Sequence, residues 1–301
     1  MNMHKEIGFI GLGRMGLNMS ARLVESGYRV VGYNRSEGPR KEAVGFGVEV
    51  TASLAETVSA LSSPRVVWIM VTSNAVDLVL EELLPLLAPG DTVIDGGNSF
   101  YKDSIRRHKK LKERDIHFLD CGTSGGLEGA RHGASLMIGG PAEVFEMHER
   151  FFRALAAPSG YARVGNEGAG HFVKMVHNGI EYGMMGAIAE GVAVLHEHEA
   201  DFDIDLKEVF KPYEHESIIT SKLVTWLREA FDAGQIDVIK GEVPQGETES
   251  EMEHITTIGS VEVLEAALAQ RKETRAQESY RGKLIAAMRN QFGGHGVIKK
   301  E

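Results

Sequence analysis

The chain has 301 residues, of which 43% are hydrophobic and 25% charged, so it is long enough for two globular domains with buried cores. Its formal net charge of −10 argues against nucleic acid or an anionic membrane as the main partner. The sequence has neither 18 consecutive apolar residues nor a signal-peptide core, which predicts a cytoplasmic protein with no membrane partner. The single cysteine, Cys121, excludes an intrachain disulfide and is interpreted as a small buried side chain rather than a nucleophile.

Short apolar runs alternate with amphipathic stretches through the first half of the chain. The predicted strands are Ile7–Ile10, Arg29–Tyr33, Val66–Met70, Thr92–Asp95 and His117–Asp120. The helix-like segments between them include Met15–Ser26, Asn74–Leu87 and Lys102–Arg114. Strands that alternate with helices of this length are typical of βαβ units and a parallel sheet.

The second half of the chain is helical in pattern. From Gly168 to about Glu199 there is no proline and apolar residues recur at helical spacing, which predicts one unusually long helix. Shorter helices are predicted at Leu206–Phe210, Ile218–Phe231, Val261–Gln270 and Tyr280–Asn290. The predicted fold class is therefore α/β, with a doubly wound parallel sheet over residues 1–165 and an all-helical domain over residues 166–301.

The first predicted strand runs into a GxGxxG turn that opens a helix. Its first glycine permits a tight turn, its second lets the backbone approach a pyrophosphate, and its third permits close helix–strand packing. Because the motif stands between a strand and a helix, it predicts a Rossmann dinucleotide-binding domain, the alternative being a glycine-rich turn that binds nothing. The predicted cofactor contacts in this turn are Gly11, Leu12, Gly13, Arg14, Met15 and Gly16.

The end of the second strand bears on the choice between the two nicotinamide cofactors. An NAD site usually carries a carboxylate there for the ribose 2′-hydroxyl, but this chain has Asn34, Arg35 and Ser36. Arg35 and Ser36 could hold a 2′-phosphate, which favours NADP. The alternative is a solvated Arg35 and an NAD site. Val71 and Asn98 are also predicted to contact the cofactor.

Five polar side chains recur at helical spacing near the start of the long helix. They form one stripe: Lys174, His177, Asn178, Glu181 and Tyr182. The other face is mostly apolar and is predicted to join the core: Phe172, Met175, Val176 and Ile180. A polar stripe on a mostly buried helix needs a polar partner, most simply a ligand, the alternative being an exposed face of a surface helix.

Lys174–Tyr182 resembles the catalytic helix of the 6-phosphogluconate dehydrogenase family, within the β-hydroxyacid dehydrogenase superfamily. Three further segments are similar to that family, in the same order: Asp95–Asp103, Gly122–Arg131 and Asn290–His295. The length is similar to the short form of the family. The resemblance implies oxidative decarboxylation of 6-phosphogluconate to ribulose 5-phosphate and CO2 with reduction of NADP, without a metal, and a helical domain for substrate binding and dimerisation.

The resemblance also implies roles for individual residues. Lys174 would accept the 3-hydroxyl proton, Glu181 would donate a proton, and His177 and Asn178 would complete the catalytic set. A lysine can act as a base near neutral pH only if burial or a nearby cation lowers its pKa. The implied substrate-binding residues are Asn98, Ser124, Gly125, Gly126, Tyr182, Arg271, Arg289 and His295. In the family a neighbouring subunit supplies the residues that match Arg289 and His295, which implies a homodimer or higher homo-oligomer.

One segment departs from the family pattern. Gly246–Glu253 carries four carboxylates where the family usually has basic residues, Trp and Thr near the substrate phosphate. Carboxylates beside a phosphate dianion would be strongly unfavourable. Either this segment is a solvated loop, which is the favoured interpretation, or the enzyme is a related β-hydroxyacid dehydrogenase for an unphosphorylated acid. A non-catalytic dinucleotide-binding module is disfavoured because Lys174 and Glu181 are both present.

Overall fold

The structure is a computed structural model, and it describes residues 5–294 and 296–299. The chain divides into two compact units, the first ending at Lys174 and the second beginning at Met175. The first unit contains one mixed sheet with its helices, and the second unit is helical. Within the described ranges, no helix is both long and apolar enough to cross a membrane.

Eight strands form the sheet of the first unit. They are β1 Glu6–Ile10, β2 Arg29–Tyr33, β3 Glu49–Val50, β4 Val66–Ile69, β5 Thr92–Asp95, β6 His117–Ser124, β7 Ala134–Gly139 and β8 Ala156–Gly165. Their spatial order is β3-β2-β1-β4-β5-β6-β7-β8, which begins in the order of a doubly wound dinucleotide-binding sheet. The predicted Rossmann fold class is confirmed.

The sheet is not wholly parallel, which differs from the sequence-based expectation. β6 and β7 pair antiparallel, with Cys121 opposite Ile138, whereas the other pairs are parallel. Only residues 125–133 join these two strands, and a parallel pairing needs a crossover of roughly a dozen residues or more. Strands β3, β7 and β8 were not predicted. β3 is only two residues long, and β8 lacks a continuous apolar run.

From residue 5 onward, seven α-helices and one short 3-10 helix precede the long helix. They are α1 Arg14–Glu25, α2 Glu37–Val44, α3 Leu54–Ser59, the 3-10 helix Ser73–Ala75, α4 Val76–Leu83, α5 Tyr101–Lys112, α6 Gly126–His132 and α7 Ala142–Leu155. Apolar side chains on both faces of the sheet form buried cores. Cys121 is fully buried among them, and this burial raises the pKa of its thiol, so the interpretation as a packing residue is confirmed.

The long helix α8 spans Ala169–Glu197 and confirms the prediction of one uninterrupted helix. The later helices are α9 Glu199–Phe202, α10 Leu206–Glu214, α11 Lys222–Asp232, α12 Gln235–Val238, α13 Glu247–Ile258, α14 Glu262–Glu273 and α15 Tyr280–Gly293. Helix α11 starts later than predicted because the Ser221 side chain accepts a hydrogen bond from the Val224 N–H and caps it. The acidic segment, expected as a loop, forms the start of α13.

Candidate active site

The glycine-rich turn between β1 and α1 has little room for side chains. Gly11 has a φ of +97°, and a Cβ there would lie 2.2 Å from the carbonyl oxygen of Met70. A Cβ at Gly16 would lie 1.9 Å from the carbonyl oxygen of Gly11. Both glycines are therefore required by the packing of the turn itself.

Gly13 differs, because a Cβ there would meet no atom within 4 Å. It is the N-cap of α1, has no side-chain capping hydrogen bond, and no acidic residue lies in the first helical turn. Because the first N–H groups of an α-helix have no acceptor within the helix, this end of α1 favours an anion. We call the turn Gly11–Gly16 the glycine cradle, and it fits the pyrophosphate of a dinucleotide.

Asn34 connects the glycine turn to the end of β2. Its Oδ1 accepts a hydrogen bond from the Leu12 N–H at 3.0 Å, and its Nδ2 donates to the carbonyl oxygen of Ser36 at 3.2 Å. Arg35 and Ser36 are exposed at this edge. Val71 follows β4 and lies beside the turn, because a Cβ at Gly11 would approach its Cγ1 at 2.9 Å.

The turn that carries Asn98 is held by a buried ion pair. Asp95 accepts hydrogen bonds from the Gly97 N–H, the Ser99 hydroxyl and Nη1 of Arg107, at 3.2, 2.8 and 3.1 Å. Asp95 is fully buried and Arg107 is only 2% exposed. Because a buried charge is costly unless it is paired, this pair constrains the turn strongly.

The carboxylate of Asp120 anchors the start of α8. It accepts hydrogen bonds from the Gly168 N–H at 2.7 Å and from the His171 N–H at 2.9 Å, and it is fully buried. A negative charge at this end also interacts favourably with the helix dipole. The anchor fixes the helix whose next turn carries Lys174.

His171 links α8 to the turn that carries Asn98. Its Nε2 lies 3.1 Å from the carbonyl oxygen of Gly97, and its Nδ1 lies 2.7 Å from the Ser104 hydroxyl. Because a carbonyl can only accept, Nε2 carries the hydrogen and donates it to Gly97. Sequence reasoning missed His171, although it stands one helical turn before Lys174.

Lys174 packs directly on β6. A Cβ at Gly122 would lie 2.4 Å from Cβ of Lys174, so the absence of a side chain at position 122 is what lets the helix approach. Ser124, Gly125 and Gly126 follow at the end of the same strand, and Gly125 has a φ of +117°. In the first unit, Lys174 therefore contacts β6 at Gly122, two residues before the segment Ser124–Gly126 that is predicted to bind the substrate.

In the second unit, Asn178 and Tyr182 of the polar stripe contact α13. Nδ2 of Asn178 donates to Oε2 of Glu251 at 2.9 Å, and the Tyr182 hydroxyl bonds to the Thr248 hydroxyl. His177 and Glu181 are half-buried, with Nδ1 and Oε2 separated by 3.8 Å. Each of these four stripe residues therefore has a polar neighbour within the second unit.

The prediction that Ile180 joins the core is wrong. Its side chain is 54% exposed, and Phe172 and Val176 are only half-buried. Met175 is buried as predicted, and the buried face of α8 in the second unit also includes Asn178, Tyr182, Met185, Ala189 and Val192. Because Asn178 and Tyr182 of the polar stripe contact α13, they belong to the buried face. The apolar residues beside them, Phe172, Val176 and Ile180, are therefore half-buried or exposed.

Two buried arginines lie next to Tyr182. The guanidinium of Arg271 stacks 4.6 Å from the centre of the Tyr182 ring. Arg271 and Arg289 each donate a hydrogen bond to the carbonyl oxygen of Pro244 at 3.0 Å, and they are 1% and 4% exposed. Nη1 of Arg271 and Nε of Arg289 are buried and have no hydrogen-bond partner within residues 5–294 and 296–299. Burial lowers the pKa of Arg289. This arrangement favours a bound anion.

The position of Arg289 corrects the sequence-based expectation that it serves a neighbouring subunit. It lies beside Arg271 and Tyr182 of its own chain, because α15 packs within the second unit. Arg289 therefore no longer implies a dimer. His295, the other residue expected from a neighbour, lies outside the described residues.

The acidic segment is not the solvated charge run that was expected. Glu249 is 2% exposed and accepts hydrogen bonds from Nη1 and Nη2 of Arg275, both at 2.8 Å, and these bonds lower its pKa. Nε of Arg271 lies 3.6 Å from the same carboxylate. Sequence reasoning missed Arg275, Thr248 and the roles of Glu249 and Glu251, because a run of charges does not reveal its partners.

Comparison with known proteins gives consistent matches. A sequence model of the NAD-binding domain of 6-phosphogluconate dehydrogenase matches residues 6–172, and one of the C-terminal domain of that enzyme matches residues 170–235. The chain is 44% identical to the Bacillus subtilis protein named "Putative 6-phosphogluconate dehydrogenase YqeC", over 98% of this chain and 100% of that one.

Two further relatives add cofactor information. The chain is 36% identical to the NAD(+)-dependent, decarboxylating 6-phosphogluconate dehydrogenase of Haloferax volcanii, over 98% of this chain and 99% of the relative. The structure of Plasmodium falciparum 6-phosphogluconate dehydrogenase, described with NADP+ and with 6-phosphogluconate, superposes with a TM-score of 0.82 at 32% identity. That match covers 90% of this chain and 63% of the Plasmodium chain.

Proposed function

The chain belongs to the 6-phosphogluconate dehydrogenase family of NAD(P)-dependent oxidoreductases, and we propose that it oxidatively decarboxylates 6-phosphogluconate to ribulose 5-phosphate and CO2. The observation that carries the substrate assignment is the buried pair Arg271 and Arg289, whose unpartnered N–H donors suit a phosphate dianion. Tyr182 would contact the same phosphate.

Lys174 is the proposed general base. Its stem is fixed against Gly122 on β6, and in its neutral form its amine would accept the proton of the substrate 3-hydroxyl. The nicotinamide cofactor, when bound in the glycine cradle, supplies the acceptor for the hydride. Protonated Lys174 would then donate a hydrogen bond to the oxyanion that develops as CO2 leaves.

Glu181 is the proposed acid. It stands two helical turns after Lys174 on the same face, and in its protonated form it would deliver the proton that converts the enediol into the ketose. His177 and Asn178 would orient the hydroxyl groups between these two. Asn98 and the segment Ser124–Gly126 would hold the sugar acid's carboxylate.

The acidic segment does not argue against a phosphorylated substrate once its contacts are considered. The buried carboxylate of Glu249 is neutralised by two hydrogen bonds from Arg275, and Glu251 bonds to Asn178 rather than to either buried arginine. The phosphate would therefore meet two guanidinium groups instead of a free carboxylate. This favours 6-phosphogluconate over the unphosphorylated acid of the alternative.

The proposed function is tested by initial rates of NADP and NAD reduction with 6-phosphogluconate and with gluconate, while released CO2 is trapped. We expect reduction with the phosphorylated acid alone and one CO2 for each reduced cofactor. Equal activity on gluconate, or reduction without CO2, would establish instead a related β-hydroxyacid dehydrogenase for an unphosphorylated acid.

NADP is the proposed preferred cofactor, because the exposed Arg35 and Ser36 stand at the end of β2 and no carboxylate replaces them. We expect Arg35→Glu to raise the KM for NADP by roughly 10- to 100-fold, since a carboxylate repels the 2′-phosphate. The KM for NAD should change little, and it serves as the internal control. An equal rise for both cofactors would exclude this role of Arg35.

We also propose that the chain forms a homodimer or higher homo-oligomer. Ile180, Met184 and Val194 are 54%, 42% and 57% exposed along α8, an apolar strip that is long for a surface helix. Sedimentation equilibrium should give at least twice the mass of the chain, and Met184→Glu should shift the distribution toward the monomer. A wild-type protein that sediments as a monomer at micromolar concentration contradicts the proposal.

A further inference from the structure

Four charged side chains of the second unit meet at the predicted phosphate end of the site. We call Arg271, Arg275, Arg289 and Glu249 the arginine–glutamate cluster. Its three guanidinium groups and one carboxylate leave two net positive charges, and three of the four side chains are less than a twentieth exposed. Arg275, with 29% of its side chain exposed, is the member nearest to solvent.

The carboxylate of Glu249 faces two arginines but is hydrogen-bonded to only one of them. Arg275 binds both of its oxygens at 2.8 Å in a bidentate arrangement, whereas Nε of Arg271 lies 3.6 Å away and makes no hydrogen bond. Among the residues that the structure describes, Nε and Nη1 of Arg271 have no hydrogen-bond partner. The anion-binding capacity of Arg271 thus depends on Arg275 holding Glu249.

We propose that Arg275 is a positioning residue that determines specificity for the anionic end of the substrate. By binding both oxygens of Glu249, it keeps this carboxylate at 3.6 Å from Nε of Arg271 and out of hydrogen bonding with it, so that Glu249 competes only weakly with the substrate's phosphate. The identity of the substrate rests on the proposed function, but anion binding by the cluster does not.

Removing Arg275 would leave the buried carboxylate of Glu249 without its hydrogen-bonding partner. Glu249 would remain 2% exposed without its partner, and a buried unpaired carboxylate is strongly unfavourable. Nε of Arg271 already lies 3.6 Å from this carboxylate, so a small rotation of either side chain would convert the ion pair into a hydrogen-bonded one. That internal pair would have to be broken each time a phosphate binds.

The test uses the full chain as wild type, Arg275→Met and the double variant Arg275→Met/Glu249→Gln. Arg281→Met is the matched control, because Arg281 pairs with Glu190 in an exposed ion pair of the same unit. The measured quantities are kcat and KM for 6-phosphogluconate, and the Kd of inorganic phosphate by calorimetry.

We expect Arg275→Met to raise both the KM for 6-phosphogluconate and the phosphate Kd by at least about tenfold, with kcat changed far less. The double variant should recover most of this loss, because the uncharged amide that replaces the Glu249 carboxylate cannot neutralise Arg271. Arg275→Lys should recover part of it, and Arg281→Met should match the wild type.

An unchanged phosphate Kd in Arg275→Met, or a double variant as weak as the single one, would overturn the proposal. If Arg275→Met does not fold, Arg275→Lys with and without Glu249→Gln decides, because lysine cannot hold both carboxylate oxygens in a bidentate arrangement. An unchanged phosphate Kd in Arg275→Lys, or no recovery on adding Glu249→Gln, refutes the proposal. A wild type that binds phosphate but does not oxidise 6-phosphogluconate would refute the proposed function while leaving this inference standing.

Discussion

Replacing Lys174 with methionine is expected to lower kcat with 6-phosphogluconate by at least about 1,000-fold, since the reaction then lacks its general base. Methionine keeps the unbranched stem that packs on Gly122 of β6, so the fold should be preserved. Dinucleotide affinity should also survive, because the glycine cradle lies at β1 and α1. Steady-state kinetics and a fluorescence titration with NADPH measure the two quantities.

The control for this experiment is Lys211→Met, which removes an exposed lysine that pairs with Glu208 on α10. It should retain wild-type turnover. Persistent turnover in Lys174→Met would show that the base is wrongly assigned. Loss of dinucleotide binding together with turnover would point to a damaged fold, which the unfolding temperature would reveal independently.

Replacing Gly13 with valine is expected to raise the KM for either dinucleotide by at least about 100-fold, because the new side chain fills the place of the pyrophosphate. A Cβ at this position meets no protein atom within 4 Å, and the φ of −68° suits any residue. The unfolding temperature without cofactor should therefore change by only a few degrees.

Gly11→Val provides the contrast. Its Cβ would lie 2.2 Å from the Met70 carbonyl oxygen at a φ of +97°, so this variant should be severely destabilised even without cofactor. If Gly13→Val retained normal dinucleotide kinetics, the cradle would not hold the pyrophosphate. If both variants unfolded alike, Gly13 would be a packing glycine rather than part of a ligand cradle.

The local sequence pattern was enough to predict the long helix, the glycine turn and the polar stripe. The 3.6-residue period and the absence of proline predicted α8 to within two residues at either end, and the GxGxxG turn between strand and helix predicted the dinucleotide cradle. The same period placed the residues from Lys174 to Tyr182 on one stripe. These features depend on neighbours a few residues apart, which a sequence displays directly.

Contacts between distant segments were decided only by the tertiary structure. The sequence shows the four carboxylates of Gly246–Glu253 but not that Arg275 and Asn178 pair with two of them, so a partly buried helix was mistaken for a solvated loop. Likewise, the capping of α8 by Asp120 and the meeting of Arg289 with Arg271 join residues far apart in the chain. The burial of a charge depends on which partner the fold brings to it, and periodicity carries no information about that partner.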